Sequence, residues 1–553
     1  MSLPPSAPGT QGPRAHDHRT RLLIVLHGHI PQVVGQGTWP HGANWLYEAA
    51  AETYLPFLRV VNELRAEGIP IKATIGLTPV LAEQLLDPRF KTGFRWYLRQ
   101  RARAANEDRE AFLLEKNERA AALAEAWRDL YLYLREQFEA LPGQDIVRVF
   151  RELADAGEIE PMASAATHGF LPLLPNDRAI ERQLDVGLAA FERHWGRPAH
   201  GIWIPECAYR PPGLWVSPAD GHAEIRPGIE DFLAARGVRF FFVETHLVAG
   251  GLTPAAYGGN VFRDYEGQSP YRTHAVRAID GTPVGVFARD PLSSQQVWSG
   301  VVGYPGDPRY LEFHKKSGSG HRYWRVTDSK ADLAFKKFYE PEKVHSVVSQ
   351  HAAHFISMLR QVEPLSDGTP GLVVGMFDFE LFGHWWFEGP SFLGELMRQV
   401  SKEPGIKMVT AWEALQETPP TSFLTMPPGT WGRNGTFEVW WNEHTVGYWQ
   451  TVTRIEEHME VLEERAREGK LSPELFEALE RQTLLLQSSD WPFLIDNESA
   501  RDYAEERILR HATDFELLAR VADAPEAMQR EVLDEIAKRD RSFGPELAGR
   551  TRV

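Results

Sequence analysis

Short apolar runs recur along the chain, and each is followed by a polar cluster and then by a stretch with helical periodicity. The runs are rich in Val, Ile, Leu and Phe and too short for helices, so they predict buried strands. They lie at residues 21–26, 71–75, 159–163, 201–204, 238–243, 285–288, 372–374 and 407–410. Strand, helix and strand in alternation predict a parallel sheet with crossover helices, as in a β/α barrel.

Amphipathic stretches between the apolar runs predict the crossover helices. They lie at residues 46–63, 180–195, 228–237 and 344–360. Residues 88–141 differ from these, because they are charged, alanine-rich and helix-periodic over a long distance. We interpret them as a helical insertion between barrel strands, with its polar faces in solvent.

The pattern changes past residue 417, where a stretch rich in Pro and Thr precedes a largely helical region. The helices predicted there lie at residues 447–468, 472–487, 499–522 and 525–538. Ser472 followed by Pro473 is a good signal for a helix start. We therefore expect three units, which are a flexible tail at 1–19, a barrel at 20–417 and an all-α domain at 418–553 that contributes to the cleft.

Composition narrows the class of protein. The chain has 553 residues, of which 43% are apolar and 25% charged, as in folded soluble proteins. A formal net charge of −16 argues against a nucleic-acid partner. No run approaches the length of a membrane span and no signal-peptide core is present, so a cytoplasmic location is the simplest expectation. Seventeen Trp residues suit a carbohydrate-binding cleft.

Carboxylates stand at the ends of several predicted strands. Asp378 and Glu380 follow one strand and share a face of an extended segment, while Glu206 and Glu244 follow two others. A parallel β/α barrel brings such strand ends together at one face. Glycosidic chemistry needs two carboxylates, one as acid and one as nucleophile or base. The residues themselves do not choose between Asp378 and Glu380.

Histidines at strand ends allow other interpretations. His29, His168 and His246 together indicate a site, although each alone is typical of a structural histidine. A metal-dependent hydrolase, such as a sugar deacetylase, is the rival hypothesis, with His27, His29, His168 and Asp378 as ligands. A non-catalytic glucan-binding protein, in which the Trp residues bind and the acids are structural, is the third.

Two features bear on reactivity and access. Cys207 is the one cysteine in the sequence, so no intrachain disulfide is possible. A nucleophilic thiol beside Glu206 is a hypothesis, but a small buried thiol is the commoner case. Residues 247–270 are rich in Gly and turn formers and include Tyr257. A loop of that length is typical of a lid or a binding loop.

Five blocks of sequence carry a resemblance to a known family. They read HGHIP at 27–31, ATHGFLPLL at 166–174, WIPECAYRP at 203–211, FDFELFGHWW at 377–386 and SSDWPFL at 488–494. In this order the blocks resemble family 57 of the glycoside hydrolases, and within it the 1,4-α-glucan branching enzymes. Blocks of this length in the right order are far more specific than a single short motif.

The resemblance implies an incomplete TIM-like (β/α)7 barrel with a helical insertion and a C-terminal all-α domain. It also implies a retaining double displacement that uses no metal and no cofactor, with Glu206 as nucleophile and Asp378 as acid/base. The family pattern thus selects Asp378 where the residues alone left the choice open. In retaining enzymes the two carboxyl groups lie about 5–5.5 Å apart, which is the separation expected here.

The same likeness implies a set of substrate contacts and a substrate. The implied contacts are Arg289, Gly306, Trp431, Asp490, His29, His168 and Tyr257, with Trp298 and Trp440 as stacking surfaces. The implied substrate is an α-1,4-glucan such as amylose, and the implied product carries the α-1,6 branches of glycogen. Water or a 4-hydroxyl as acceptor would instead make an α-amylase-type hydrolase or a 4-α-glucanotransferase. No nucleic-acid or membrane partner is expected, and a monomer is the simplest state.

Overall fold

The computed structural model describes residues 19–255, 259–328, 330–544 and 546–547. Residues 1–18 of the predicted tail and the loop residue Tyr257 lie outside the described residues. Within the described ranges, no helix combines the length and the apolar character needed to cross a bilayer.

The fold contains buried strands, as the apolar runs predict, together with four partly exposed strands of two hairpins. In chain order they are β1 (Thr20–Gly28), β2 (Ala73–Leu77), β3 (Ile159–Pro161), β4 (Ala163–Ser164), β5 (Gly201–Trp203), β6 (Gly213–Val216), β7 (Ala223–Arg226), β8 (Phe240–Val243), β9 (Gly250–Pro254), β10 (Asn260–Glu266), β11 (His274–Arg277), β12 (Pro283–Ala288), β13 (Gly371–Asp378) and β14 (Ile406–Met408). β1 is buried along its whole length and β13 along nearly all of it, as strands are when both faces of a parallel sheet are covered.

Ten of these strands form two five-stranded sheets, in which the pairing is mostly parallel. One sheet runs β13-β1-β2-β3, and the other runs β12-β8-β5-β4 with β11 antiparallel beside β12. Between β3 and β4 lies only Met162, whose N–H donates to the carbonyl of Ile75 in β2 at 3.0 Å. At the other edge the N–H of Asp290, past the end of β12, donates to the carbonyl of Val374 in β13 at 2.8 Å. The two sheets therefore join at both edges.

Helices surround the sheets and dominate the C-terminal region. They are α1 (Ala43–Ala49), α2 (Leu55–Ala66), α3 (Pro79–Leu86), α4 (Pro88–Leu114), α5 (Glu118–Ala140), α6 (Ile146–Asp155), α7 (Asp177–Trp195), α8 (Ile229–Ala234), α9 (His246–Ala249), α10 (Pro291–Trp298), α11 (Pro341–Leu359), α12 (Gly389–Val400), α13 (Ala411–Glu417), α14 (Val446–Arg467), α15 (Pro473–Leu486), α16 (Asp490–Asp496), α17 (Arg501–Arg520) and α18 (Glu526–Ala537). A π-helical segment, Ala50–Tyr54, connects α1 to α2.

Capping side chains account for several helix starts. Asp87 caps α4 by accepting from the N–H of Arg89 at 2.7 Å, and Asn117 caps α5 by accepting from the N–H of Ala120 at 3.1 Å. These two helices pack against each other and make up the stretch at 88–141 predicted to be helical. The helix start predicted at Ser472 is confirmed, because its hydroxyl caps α15.

Two antiparallel hairpins, β6–β7 and β9–β10, extend from loops. The second, with α9, occupies most of the stretch at 247–270 that was expected to be a loop. That expectation was wrong because glycines and charged residues obscure the alternation of buried and exposed positions, which β10 does have. Residues 256–258 lie outside the described part of the chain.

The direction of the strands determines where polar side chains meet. β1, β5 and β13 run parallel, so the residues at or just past their carboxyl ends lie at the same end of the fold. Those ends carry His29, Glu206 and Asp378. The C-terminal helices reach the same place, since the N–H of Ser489 donates to the carbonyl of His168 at 3.1 Å.

Candidate active site

Glu206 lies in a strained turn that follows β5. The segment Pro205–Cys207 forms a single 3₁₀ turn in which Glu206 has φ 60° and Cys207 has φ 49°. Residues other than glycine rarely adopt this left-handed conformation, and those that do are concentrated at functional sites. The side chain of Glu206 is 13% exposed, so it is accessible from one side only.

Each carboxylate oxygen of Glu206 has a hydrogen-bond donor from the C-terminal part of the chain. The indole Nε1 of Trp431 donates to Oε2 at 2.8 Å, and the hydroxyl of Ser489 donates to Oε1 at 3.0 Å. Burial raises the pKa of Glu206 to about 7, with the charges of Asp378 and Asp490 adding to the rise and the two donated bonds opposing it. The two donors hold both oxygens in a fixed orientation.

Asp378 ends β13 and lies beside His27 of β1 in the strand register. Burial raises the pKa of Asp378 well above its usual range, and the charges of Glu380 and Asp490 raise it further. Burial and these neighbouring charges all favour the protonated form of Asp378. Asp378 is therefore suited to donate a proton, whereas Glu206, with a donor on each oxygen, is suited to act as a nucleophile.

Glu380, the second carboxylate of the strand end, is bound within the protein. Its Oε1 accepts hydrogen bonds from the hydroxyl of Tyr54 and from the backbone N–H of His29, the latter at 3.1 Å. Burial raises the pKa of Glu380 to about 7. These contacts anchor His29 and place a second carboxylate where its charge acts on Asp378.

We expect the substitution Glu380→Gln to move the alkaline limb of the activity profile to lower pH by about one unit. Glu380 raises the pKa of Asp378, so removing its charge lets Asp378 lose its proton at a lower pH, and the deprotonated acid cannot donate. The amide keeps an oxygen for Tyr54 and His29. The measurement is the pH dependence of kcat/KM.

Glu388→Gln is the matched control for that substitution. Glu388 is also buried, also has its pKa raised to about 7 by burial, and also accepts from a tyrosine hydroxyl and a backbone N–H, those of Tyr339 and Leu311. Unlike Glu380, it does not contribute to the raised pKa of Asp378. An equal shift of the alkaline limb in both variants would contradict the assigned influence of Glu380.

His29 and Asp490 are hydrogen-bonded to each other at the site. His29 Nε2 and Asp490 Oδ2 are 2.9 Å apart, and the other ring nitrogen of His29 is 3.0 Å from the hydroxyl of Thr78. Burial opposes ionisation of Asp490, but His29 and the hydroxyl of Ser488 outweigh it and lower the pKa of Asp490 to about 2. Asp490 is therefore ionised over a wide pH range, and its negative charge acts on Glu206 and Asp378.

The rival hypothesis of a metal site named His27, His29, His168 and Asp378 as ligands. In the structure a different combination of residues lies close together. Ligand atoms of His29, His168 and Asp490 lie within 4.8 Å of one another, so Asp490 joins two of the predicted histidines, whereas Asp378 lies beside His27 in the strand register. The nitrogens of His29 and His168 are engaged with Asp490, Thr78, His27 and Ser489. A cation would have to displace those hydrogen bonds.

The predicted sugar contacts divide into residues near Glu206 and residues that are buried elsewhere. Trp431 binds Glu206 directly and meets Trp298 edge to face, with 5.9 Å between ring centroids. Trp440 is completely buried and packs on Phe170, so it offers no open face for a sugar in this structure. Tyr257 falls outside the described residues.

Arg289, another predicted contact, is 1% exposed at its side chain and is engaged by a carboxylate. Its guanidinium donates to both oxygens of Glu244, at 2.7 and 2.9 Å. Glu244, a candidate catalytic carboxylate on sequence grounds, therefore serves as the partner of Arg289. Gly306 ends a 3₁₀ turn where a Cβ atom would lie 2.3 Å from the carbonyl oxygen of Gly300, so no side chain fits there.

His384, Trp385 and Trp386, which follow Asp378 in the chain, make their contacts with other parts of the protein. The His384 ring is 3.1 Å from Glu52, which also pairs with Arg322 at 2.9 Å. Trp386 is buried, whereas Trp385 is 54% exposed and packs on Phe313. Within the block at 377–386, Asp378 and Glu380 therefore belong to the candidate site most directly.

The chain matches two sequence families that together span most of its length. The pattern of glycosyl hydrolase family 57 matches residues 23–427, and the C-terminal pattern of 1,4-α-glucan branching enzymes matches residues 451–550. The chain belongs to glycosyl hydrolase family 57. The family match includes the residues of β13 and extends beyond them.

Relatives of this family 57 chain include proteins named as branching enzymes. It is 39% identical over 539 residues to the 1,4-α-glucan branching enzyme of Thermococcus kodakarensis, covering 96% of this chain and 78% of that one. It is 31% identical to a probable 1,4-α-glucan branching enzyme of Mycobacterium tuberculosis, covering 89% and 90% of the two chains.

Solved structures extend the likeness to the fold. The crystal structure of the Thermococcus enzyme with glucose superposes with a TM-score of 0.89 at 38% identity, covering 96% of each chain. An α-amylase of Thermotoga maritima superposes with a TM-score of 0.76 at 27% identity, covering 96% of this chain and 99% of the amylase. The family 57 chain therefore shares its α/β fold with these proteins.

Sequence reasoning did not identify two residues of the family 57 site. Ser489 lies in the SSDWPFL block but had no role, and Tyr54 lies in a predicted helix with no signal for function. Both act through contacts with residues several hundred positions away in the chain, at Glu206 and Glu380. The residues that neighbour Ser489 and Tyr54 in the sequence give no indication of such contacts.

Cys207 of the family 57 chain is buried and in its thiol form. Its side chain is 0% exposed, and burial raises the pKa of the thiol well above its usual range, with the charge of Glu244 adding to the rise. A nucleophilic cysteine needs a lowered pKa and access to substrate. The structure therefore favours the interpretation of Cys207 as a small buried side chain in the turn that holds Glu206.

Proposed function

We propose that this chain is a 1,4-α-glucan branching enzyme that cleaves an α-1,4 linkage and transfers the released chain to a 6-hydroxyl. The observation that carries the proposal is the match to the C-terminal region of branching enzymes at residues 451–550, in addition to the family match over the barrel residues. The likeness to the Thermococcus branching enzyme over 96% of the chain supports it. The substrate we propose is an α-1,4-glucan such as amylose or a glycogen-like chain.

In the first step we assign Asp378 as the acid and Glu206 as the nucleophile. Asp378 donates its proton to the glycosidic oxygen at position 4 while Glu206 attacks the anomeric carbon, and a covalent glucosyl-enzyme forms. The raised pKa of Asp378 and the two donors on Glu206 support this division of roles. We expect a separation of about 5–5.5 Å between the carboxyl groups, as in retaining enzymes.

In the second step the 6-hydroxyl of another glucan attacks the anomeric carbon of the glucosyl-enzyme. Asp378, now ionised, takes the proton of that hydroxyl, and Glu206 leaves as a carboxylate with net retention at the anomeric carbon. Water in place of the sugar hydroxyl gives hydrolysis. The site therefore has to exclude water while the glucosyl-enzyme waits for an acceptor.

The substrate contacts proposed for this chain surround the same two carboxylates. Trp298, which is partly buried, is proposed as an indole surface beside Trp431, whereas Trp431 itself is 3% exposed and contacts Glu206 through its Nε1. Asp490 with His29 is proposed to offer hydrogen bonds to sugar hydroxyls. His168, Arg289 and Gly306 are proposed to support these contact residues, and Tyr257, which lies outside the described residues, remains a proposed sugar contact.

For the architecture, we propose a (β/α)7 barrel at residues 20–417 with a helical insertion at about 88–141. The parallel order of β13, β1, β2, β3 with β4, β5, β8 and β12, and the joins at both edges, support it. We further propose that residues 418–553 form a C-terminal helical domain. The contribution of Trp431, Ser489 and Asp490 to the site supports a role of that domain in the cleft.

The test of the proposed function is an analysis of products from amylose. The expected result is the appearance of α-1,6 linkages, seen by proton NMR and by digestion with a debranching enzyme, in clear excess over new reducing ends. New reducing ends without α-1,6 linkages would identify a hydrolase on this scaffold. An increase in longer linear chains alone would identify a 4-α-glucanotransferase.

A further inference from the structure

A continuous line of hydrogen bonds runs from the interior of the protein to Glu206. His27 Nε2 is 3.0 Å from His168 Nε2, His168 Nδ1 is 2.8 Å from the hydroxyl oxygen of Ser489, and that oxygen is 3.0 Å from Glu206 Oε1. His27, His168 and Ser489 are all at least 97% buried. We propose that His27, His168 and Ser489 form a hydrogen-bond relay of one polarity, which keeps Ser489 as a donor to Glu206.

This inference rests on the proposed role of Glu206 as the nucleophile. It adds three positioning residues to that role, because none of the three is required to touch the reacting atoms. His168 was predicted to contact the sugar near the cleaved bond, whereas both of its ring nitrogens are bonded to protein groups. The relay therefore gives His168 a different task, which is to orient Ser489.

The polarity follows from counting protons along the line. A serine hydroxyl has one hydrogen, so if Ser489 donates to Glu206 it has to accept from the Nδ1–H of His168. A neutral imidazole has one N–H, so His168 Nε2 then accepts from the Nε2–H of His27. Nδ1 of His27 is left without a proton.

The opposite polarity requires a proton on Glu206. In that state Glu206 donates to Ser489, Ser489 donates to His168 Nδ1, and His168 Nε2–H donates to His27 Nε2. His27 then carries its proton on Nδ1. Within the described part of the chain, His27 Nδ1 has no hydrogen-bond partner, and a buried N–H without an acceptor is rare in proteins. The relay consequently favours the ionised form of Glu206.

Packing holds the members of the relay in place. The His27 ring is stacked on Trp203, with 4.6 Å between centroids and 9° between planes, and the His168 ring is stacked on His29 at 4.0 Å. The backbone carbonyl of His168 accepts from the N–H of Ser489, so these two residues are joined at two points. His168 adopts a left-handed φ of 59°, which a non-glycine residue keeps only when its surroundings enforce it.

Burial and charge around the relay keep both imidazoles neutral. Burial lowers the pKa of His27 and of His168 well below the usual range, and the neighbouring histidines lower them further. The ionisable groups that face Glu206 or its turn are Asp378 from β13, Asp490 from α16 with His29 bound to it, His168, Cys207, and the Arg289–Glu244 pair. Of these, Asp378 and Asp490 favour protonation of Glu206, which the donated bond from Ser489 opposes.

The first test is the substitution Ser489→Ala, read from the pH dependence of kcat/KM for amylose conversion. We expect the acid limb to move up by about one pH unit, because Glu206 without this donor takes up a proton at a higher pH. The alkaline limb, which reports Asp378, is expected to stay in place. An acid limb unchanged from that of the unmodified protein would overturn the relay.

Ser164→Ala is the control, since its buried hydroxyl donates to the carbonyl of Trp203 at 3.0 Å and does not touch Glu206. It loses one buried hydrogen bond, as Ser489→Ala does, and both limbs of its profile are expected to stay in place. An equal shift of the acid limb in the control would assign the effect to general loosening of the site.

The second test reads the tautomers directly in the resting protein. With ¹⁵N-labelled histidine, long-range proton–nitrogen NMR distinguishes a protonated ring nitrogen from a bare one, and His27→Phe and His168→Asn assign the signals. We expect the proton on Nε2 of His27 and on Nδ1 of His168. A proton on Nδ1 of His27 would overturn the proposal. Because no substrate is present, this result stands whether or not the chain forms branches.

Discussion

Replacing Glu206 with Gln, or Asp378 with Asn, is expected to lower the rate of α-1,6 linkage formation from amylose by about 10³-fold or more. Glu206→Gln removes the oxygen anion that attacks the anomeric carbon, and Asp378→Asn removes the proton that the leaving oxygen needs. Both amides have nearly the shape of the acids they replace, so the loss measures chemistry. The measurement is the branching assay with proton NMR of the products.

The two variants are expected to fail at different steps, and an activated substrate separates them. With an α-glucosyl fluoride the leaving group needs little acid assistance, so Asp378→Asn should accumulate a covalent glucosyl-enzyme that intact-protein mass spectrometry detects. Glu206→Gln should form no adduct. An adduct on the Glu206→Gln protein, or full branching activity in either variant, would refute the assignment. Glu388→Gln, which replaces a buried acid whose charge is not among those raising the pKa of Asp378, should branch amylose at the normal rate.

Replacing Arg182 with Met is expected to lower the free energy of unfolding by about 3–5 kcal/mol. Arg182, on α7, pairs with Glu456 of α14 at 2.8 Å and with Glu480 of α15 at 3.3 Å, and all three side chains are 1% exposed. Without the guanidinium, two buried carboxylates lose their counter-charge. The measurement is denaturant unfolding followed by circular dichroism. Branching should also fall, because α15 leads directly into Ser489 and Asp490.

Two comparisons test whether the loss comes from stranded charges. Arg103→Met removes a pair with Glu107 in which both side chains are largely exposed, and it should leave the stability almost unchanged. Arg182→Met combined with Glu456→Gln and Glu480→Gln should recover much of the lost stability, since no buried charge is left unpaired. Equal losses for the Arg182 and Arg103 variants would contradict this account.

Local pattern was sufficient for most of the regular elements. Each buried strand predicted from an apolar run is present within a few residues, and the helices of the C-terminal region start and end near their predicted bounds. The elements that were not predicted include β11, the short helix α16 and the two hairpins. The strands of the hairpins are exposed on one face and rich in glycine and charge. Apolar periodicity reports burial, so a strand that projects from a loop gives little signal.

The sequence indicated the roles of some residues of the candidate site but not those of others. Asp378 and Glu206 could be found because they follow apolar runs, and parallel strands bring such ends together. The tasks of Glu380 and Glu244 could not be found, because the first depends on Tyr54 and the second on Arg289. Burial argues against Trp440 as a stacking surface, a role that the family resemblance had implied.

By itself, the sequence determined the order of strands and helices, the strand ends that carry carboxylates, and the resemblance to a family of glycoside hydrolases. Only the tertiary structure decided which groups touch Glu206. Trp431 and Ser489 are 225 and 283 positions away from it in the chain, and they reach it because the C-terminal helices pack over the strand ends. A hydrogen bond depends on distances of about 3 Å and on direction, and neither quantity is encoded in the spacing of residues along a chain.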